Sequence, residues 1–298
     1  MASLPSALSD RVETVRTAIA EALRERVIGD SAEDKQKAIM LAPGPRWFAP
    51  DRPIHRVHSD SSMFIGGMRA LLMQSLHPRA MAGVAQHSDY KNDPWGRLQR
   101  TADFLAATSF GPADVAQMAV DRVLAVHQRV TGTTTDGQPY SANDPHLLRW
   151  VHIAEVDSFL SAHQEYGEHP LSAVEADMYV ADMAVIASKL GVPAPPTSVR
   201  GLRDQLAMYR YELKGTPEAN DVVKYLLVQP PLPVLTRIPY SLIGAAAVAL
   251  LPAWARAELR LPYLPVTERA IIRPIGSAIA STIRWAISPT DISPSRHS

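Results

Sequence analysis

The chain has 298 residues, 46% of them hydrophobic, with thirty basic and thirty acidic side chains and no cysteine. This length and apolar content suit a sizeable core and exclude wholesale disorder. The zero net charge argues against nucleic acid as a main partner. Without cysteine there are no disulfides, thiolate nucleophiles, iron–sulfur clusters or cysteine-type zinc sites, which leaves ten histidines and ten methionines as soft ligands.

Taken in chain order, helical periodicity dominates. Ser9–Val27 reads as a charged amphipathic helix with Val12, Val15, Ile19 and Leu23 at helical spacing. Asp10, Arg11, Glu13 and Arg16 interrupt any apolar stretch near the start, so no secretory signal is expected there, and a cytoplasmic or membrane-peripheral protein is. Leu41–Pro53 carries four prolines and a glycine and is predicted to be an irregular connector. Ser62–Leu76 is an apolar helix ended by His77-Pro78, and a short helix follows over Arg79–His87.

Next comes NDPWGRLQRTADFLAATSFGP, residues Asn92–Pro112. Asp93 is a candidate N-cap, Pro94 takes the first helical position, and Gly111-Pro112 ends the helix. Arg97, Arg100, Thr101, Phe104 and Thr108 recur at three- and four-residue spacing and share a face. Further helices are predicted at Asp114–Val130, Asp144–Tyr166, Ser172–Leu190, Ser198–Leu213 and Pro217–Val228, with a turn-rich loop at Thr131–Asn143 that has room for a short extended piece. Ser172 and Glu175 form a capping box, and Gly191 closes that helix. Beyond Lys224 the chain is proline-punctuated, apolar and dotted with arginines. Ile238–Ala255 is free of charge for 18 residues, but Pro239 and Pro252 bracket it, and it reads as a core helix or as one that dips into a bilayer surface. The expected fold is all-α: a single domain of about ten helices enclosing a cofactor pocket. The expected organisation is an N-terminal helical segment over 1–40, the main domain over 41–288 and a flexible tail over 289–298.

No glycine-rich phosphate loop, GxSxG elbow or HExxH motif is present. Each candidate site residue has a plain structural alternative. His127, near the end of its helix, is either a ligand or a boundary imidazole that complements the helix dipole. His152 lies beside Trp150, Glu155 and Asp157, as a ligand or base with an orienting carboxylate, or as part of a buried polar network. His77 and His87 flank a short helix. His55 and His58 stand three apart, but the prolines before them argue for a loop and against a metal site. Arg97 and Arg100 either line a pocket for an anionic ligand or pair with Asp93 and Asp103 at the surface.

In combination, LLMQSLHPRAMAGVAQHSDYKNDPWGRLQRTADFL, RVLAVHQRVTG, GQPYSANDPHLLRWVHIAEVDSFL, YVADMAVIASKLGVP and LLPAWARAELRLPYLP resemble the rubber oxygenase and MpaB-type oxygenase family over about Leu41 to Ala286. The resemblance implies an all-α oxygenase carrying haem b. In the rubber-cleaving members, latex clearing proteins, an Arg-x-x-Lys-Thr segment lies beside the haem. Arg97, Arg100 and Thr101 match it, with arginine in place of lysine, which implies a distal iron position that is open or holds water. The proximal histidine of those members corresponds to His127, although Leu124 and Thr131 replace its flanking arginines. His152 and Asp157 resemble positions shared by bacterial members, which makes His152 the second candidate for iron. By this resemblance Arg97, Arg100 and Thr101 are the catalytic candidates, and His127, Arg97, Phe104 and His152 the cofactor-binding ones. The implied partners are dioxygen and an apolar unsaturated substrate, such as a prenyl chain or lipid, collected through peripheral membrane contact of the C-terminal third. Other readings are a haem sensor or carrier, a helical interaction scaffold, and a non-haem metal site built from His77, His87 and His152.

Overall fold

Proline, polar caps and small residues place most of the helix boundaries. A computed structural model describes residues 41–287 except 233, together with the isolated positions 17 and 39. The expected 1–40 segment and 289–298 tail lie outside the described residues. Helix α1 (Pro53–Ser59) starts on Pro53 at its first position, followed by α2 (Met63–Gln74) and α3 (Pro78–His87). The HRVH stretch expected in a loop is therefore helical. A proline at the first helical position lacks only an N–H that has no intrahelical acceptor there, so it starts a helix rather than preventing one.

Asp93 accepts from the Gly96 amide and opens α4 (Pro94–Phe110), and α5 (Ala113–His127) returns from it after the two-residue link Gly111-Pro112. A small hairpin pairs β1 (Thr131–Thr133) with antiparallel β2 (Pro139–Ser141), the extended piece of the turn-rich loop. Asp144 caps α6 (Pro145–Tyr166), and the full Ser172/Glu175 capping box opens α7 (Ala173–Lys189). There follow α8 (Val199–Tyr209), α9 (Pro217–Val223) with a π-helical turn at 224–228, α10 (Val234–Ala249) and α11 (Ala253–Glu258). Helix α12 (Pro265–Thr267) runs through a second π-helical turn into α13 (Arg273–Ile287). The fold is all-α apart from the hairpin.

At the centre α2 lies against α6. A Cβ on Gly66 would come within 2.9 Å of the Phe159 ring and 3.2 Å of its Cα, so glycine permits this close approach. Trp150, Ile153 and Tyr179 are fully buried in the same core. Buried Arg69 on α2 ties three helices together. It binds Asp157 Oδ2 at 2.7 Å and Ser158 Oγ at 2.7 Å on α6, and donates to the Leu250 carbonyl at 3.1 Å beyond the end of α10.

Four arginines of the C-terminal third bond within the fold, and one of them, Arg256, is buried. Buried Arg256 donates to the Ala249 and Leu251 carbonyls, both at 2.9 Å, and pairs with Glu268. It thus supplies donors to carbonyls that a helix end leaves without partners. Arg237 donates to Leu232 O, Arg273 pairs with Glu165, and Arg284 pairs with Asp60. Helix α10 starts before Pro239 and contains it. Its far end is core, with Ala246, Ala247 and Ala249 buried, while Ile238 is exposed. No described helix is long and apolar enough to cross a membrane.

Candidate functional site

The shared face of α4 divides in two. Arg97 and Phe104 are half-buried and Thr108 is buried, whereas Arg100 and Thr101 are exposed. Burial holds the Arg97 guanidinium below its usual range; the charge of nearby Tyr90 works against this and that of Arg100 adds to it. Arg100 pairs with Asp93 at 3.1 Å, the surface alternative. The Thr101 hydroxyl donates to the Arg97 carbonyl at 3.1 Å, as threonines on exposed helix faces commonly do.

Helices α4 and α5 form a hairpin, so the start of α4 and the end of α5 meet at its open end. Arg97 is the fourth residue of α4 and His127 the last of α5, which brings both to that end. His127 is half-buried, burial lowers its pKa, and its Nδ1 has no hydrogen-bond partner.

The second group lies on α6. His152 is buried and its Nε2 has no partner; burial pushes its pKa down to about 4, so the ring is neutral at neutral pH. Asp157 does not orient it, because that carboxylate binds Arg69. Arg149, one turn before His152 on α6, donates to the Pro193 carbonyl. Glu155, one turn after His152, is the nearest acid along the helix. It has no ion pair or hydrogen bond among the described residues, and burial pushes its carboxyl up to about 7. It keeps some accessible surface although protein surrounds it closely.

A polar chain from three other helices approaches Glu155. Tyr179 on α7 is fully buried; burial raises its phenol well above the usual value, and the charge of Glu155 adds to this. Its hydroxyl is 3.1 Å from His58 Nε2 on α1, and His58 Nδ1 is 2.7 Å from Ser109 Oγ on α4. His58 is pushed down to about 3, first by burial, and is neutral. A consistent assignment has the phenol donating to Nε2 and Nδ1–H donating to the serine oxygen. Sequence reading missed this chain. The HRVH stretch, taken for a loop, offered no helix face, and nothing local links Ser109 to Tyr179. Glu155 had one available signal, its i, i+3 spacing from His152.

The grouping of His77, His87 and His152 does not form. His87 Nε2 lies 3.1 Å from both Tyr140 Oη and the Thr131 carbonyl at the hairpin. His77 sits against Trp150 and Tyr209. His152 points from another side of α6, since it lies two residues, or about 200°, from Trp150.

Two imidazoles with an unpartnered ring nitrogen, half-buried His127 and buried His152, meet the first requirement of an iron porphyrin, a neutral histidine nitrogen free to ligate. Half-buried Arg97 and Phe104 meet two others, a cation for a propionate and an apolar wall. The donor set fits haem. Arg100 and Thr101, as placed, face solvent.

No curated protein and no solved structure matches the chain. One family model does, over residues 55–285, under the description "ER-bound oxygenase mpaB/B'/Rubber oxygenase, catalytic domain". That span holds α2 to α12, Arg97, His127, His152, Glu155 and the core that positions them, and the chain therefore belongs to the MpaB/rubber oxygenase catalytic-domain family.

Proposed function

We propose that the chain is a haem b-dependent oxygenase that acts on a carbon–carbon double bond of an apolar substrate, a prenyl chain or an unsaturated lipid. The observation that carries this reading is a half-buried and a buried histidine, His127 and His152, each with a ring nitrogen that lacks a partner, in a member of an oxygenase family. His127 would hold the iron, and His152 is the second candidate. Bound haem supplies an iron that takes up and activates dioxygen.

The protein's own groups have separate tasks. Arg97, poorly solvated, gains by pairing with a haem carboxylate through its fork of N–H donors. Glu155 keeps its proton to about pH 7, so its Oε can give a proton or take one back near neutrality. The Ser109–His58–Tyr179 chain stays neutral and ties α4, α1 and α7 together near Glu155. Arg100 and Thr101 belong to the catalytic set by resemblance and would enter it when a cofactor or substrate covers α4.

Peripheral membrane contact through the C-terminal third rests on exposed apolar side chains. Tyr263, Leu264, Val266 and Ile271 stand 56%, 54%, 81% and 51% exposed in one stretch, while most arginines there bind within the fold. The test of the activity is dioxygen uptake by haem-reconstituted protein given a linear prenyl alcohol. Turnover that requires both haem and the double bond supports the proposal. Haem binding without substrate-dependent uptake would replace it with a sensor or carrier, the reading that the exposure of Arg100 and Thr101 favours.

A further inference from the structure

Away from these groups, three segments converge on a second cluster of ligating atoms. His77 occupies the turn between α2 and α3, with Pro78 behind it. His146 lies in the first turn of α6. Glu212 follows α8, in a turn closed by its amide donating to the Tyr209 carbonyl at 2.9 Å. The Lys214 amide donates to the Leu76 carbonyl at 2.8 Å, which binds the Glu212 turn to the His77 turn. One ring nitrogen of each histidine and one oxygen of the glutamate all lie within 4.8 Å of one another. His146 Nε2 is 2.8 Å from Glu212 Oε1, and His77 Nε2 is 3.3 Å from Glu212 Oε2.

His77 is the residue that asks for an explanation. It is 1% exposed, and neither ring nitrogen makes a hydrogen bond; the 3.3 Å approach to Glu212 lacks the required geometry. A buried imidazole with no partner loses its hydration without replacement. His146 is held at its other nitrogen: Nδ1 lies 3.3 Å from Tyr209 Oη, which donates its own proton to the His146 carbonyl at 2.8 Å. Without an ion, Nε2 donates to the Glu212 carboxylate, 2.8 and 2.9 Å away; when an ion replaces that proton, the phenol oxygen can accept from Nδ1–H and Nε2 presents its lone pair. A group behind the ring that fixes its tautomer is the usual support of a ligating histidine.

We propose that His77, His146 and Glu212 form a binding site for a divalent transition-metal ion of the zinc type. Two imidazoles and one carboxylate make a known donor set for such ions, with a further position left for water. Bonds of about 2.0–2.2 Å set tetrahedral ligand edges at roughly 3.3–3.6 Å, a spacing these atoms reach by small side-chain shifts. His146 and Glu212 are 39% and 36% exposed, which leaves both a path for the ion and room to adjust. Arg79 is the opposing group, 4.0 Å from Glu212 Oε2, but it also lies 3.5 Å from Asp144 and can remain there when an ion takes the glutamate. The site is separate from the proposed haem ligands. His146 and Trp150 lie on one side of α6, and His152 and Glu155 face away by roughly 120° or more at about 100° per residue. The inference does not depend on the oxygenase reading.

The test uses the full chain, dialysed against chelator and titrated with Co²⁺, a zinc substitute whose bound form absorbs visible light. The expected result is saturable uptake of one equivalent with new visible bands, their loss when Zn²⁺ is added, and a metal-dependent rise in Tm. His146→Ala and Glu212→Gln each weaken binding a hundredfold or more, and Tyr209→Phe about tenfold. Both ligand variants act at half-exposed positions, so their metal-free Tm should match that of the wild type, while His87→Ala should bind as the wild type does. Absence of uptake by the wild type, or equal uptake by the His146→Ala, Glu212→Gln double variant, overturns the proposal.

Discussion

Glu155 is the side chain whose surroundings differ most from what it needs when ionised. Burial raises its folded-state pKa to about 7, against a usual value near 4.3. Its protonated form is therefore the stable one in the fold, and the sign follows. Below the unfolded pKa both states are protonated and there is no penalty. Between pH 4 and 7 the unfolded chain releases the proton first and stability falls, and above pH 7 the loss is complete. Glu155→Gln removes the titration. Chemical denaturation should find the variant about 3–4 kcal/mol more stable than the wild type at pH 8, and close to it at pH 4. His58 acts in the opposite sense. Its folded pKa, pushed down to about 3, gives stability that is present above pH 6.5 and lost as pH falls towards 3. If Glu155 moves a proton as proposed, Glu155→Gln should lower kcat of the haem-reconstituted protein at least tenfold without moving the haem spectrum. Gln activity equal to wild type across the pH range would remove Glu155 from the mechanism.

At the scale of elements, α2 and α6 decide the architecture through one small residue and one charged one. Gly66→Ala puts a methyl against the Phe159 ring and backbone, and should cost about 1–3 kcal/mol. Arg69→Met leaves Asp157 unpaired and the Leu250 carbonyl without its donor, and should cost about 3–5 kcal/mol in urea unfolding. A loss below about 1 kcal/mol would mean that Arg69 does not hold α10 to the centre. These elements differ in how far sequence reveals them. Asp93-Pro94, Asp144-Pro145 and the Ser172/Glu175 box are local signals, and the helices start where they indicate. Pro53 misleads because the same residue that breaks a helix interior also opens one. The Arg97–Thr108 face is correctly helical, but periodicity cannot tell which half of a polar face lies inward. That depends on where α5 packs, a long-range fact. His77, His146 and Glu212 lie too far apart in sequence for any spacing rule to join them.

For the molecule as a whole, the family span of 55–285 coincides with one continuous core, so the oxygenase assignment and the all-α fold concern the same folded unit. Its apolar, arginine-dotted C-terminal third was expected to make peripheral membrane contact. Most of those arginines complete helix ends and ion pairs, and aromatic and aliphatic side chains around Tyr263–Ile271 supply the exposed apolar area. Membrane contact of that kind is driven by apolar area and should resist salt. The protein should co-sediment with neutral and anionic vesicles to a similar extent, little changed at high salt, and Leu264→Ser with Val266→Ser should reduce it severalfold. Binding confined to anionic vesicles and abolished by salt would return the contact to the arginines.

Whether His127 holds a haem iron is read from the absorption spectrum of the haem-reconstituted protein beside its His127→Ala and His152→Ala variants. The proposed ligation gives a Soret band in the wild type, the same band in His152→Ala, and a lost or shifted band in His127→Ala. An unchanged band in His127→Ala with a lost band in His152→Ala would move the iron to α6, and a wild type that takes up no haem would rule out a haem oxygenase.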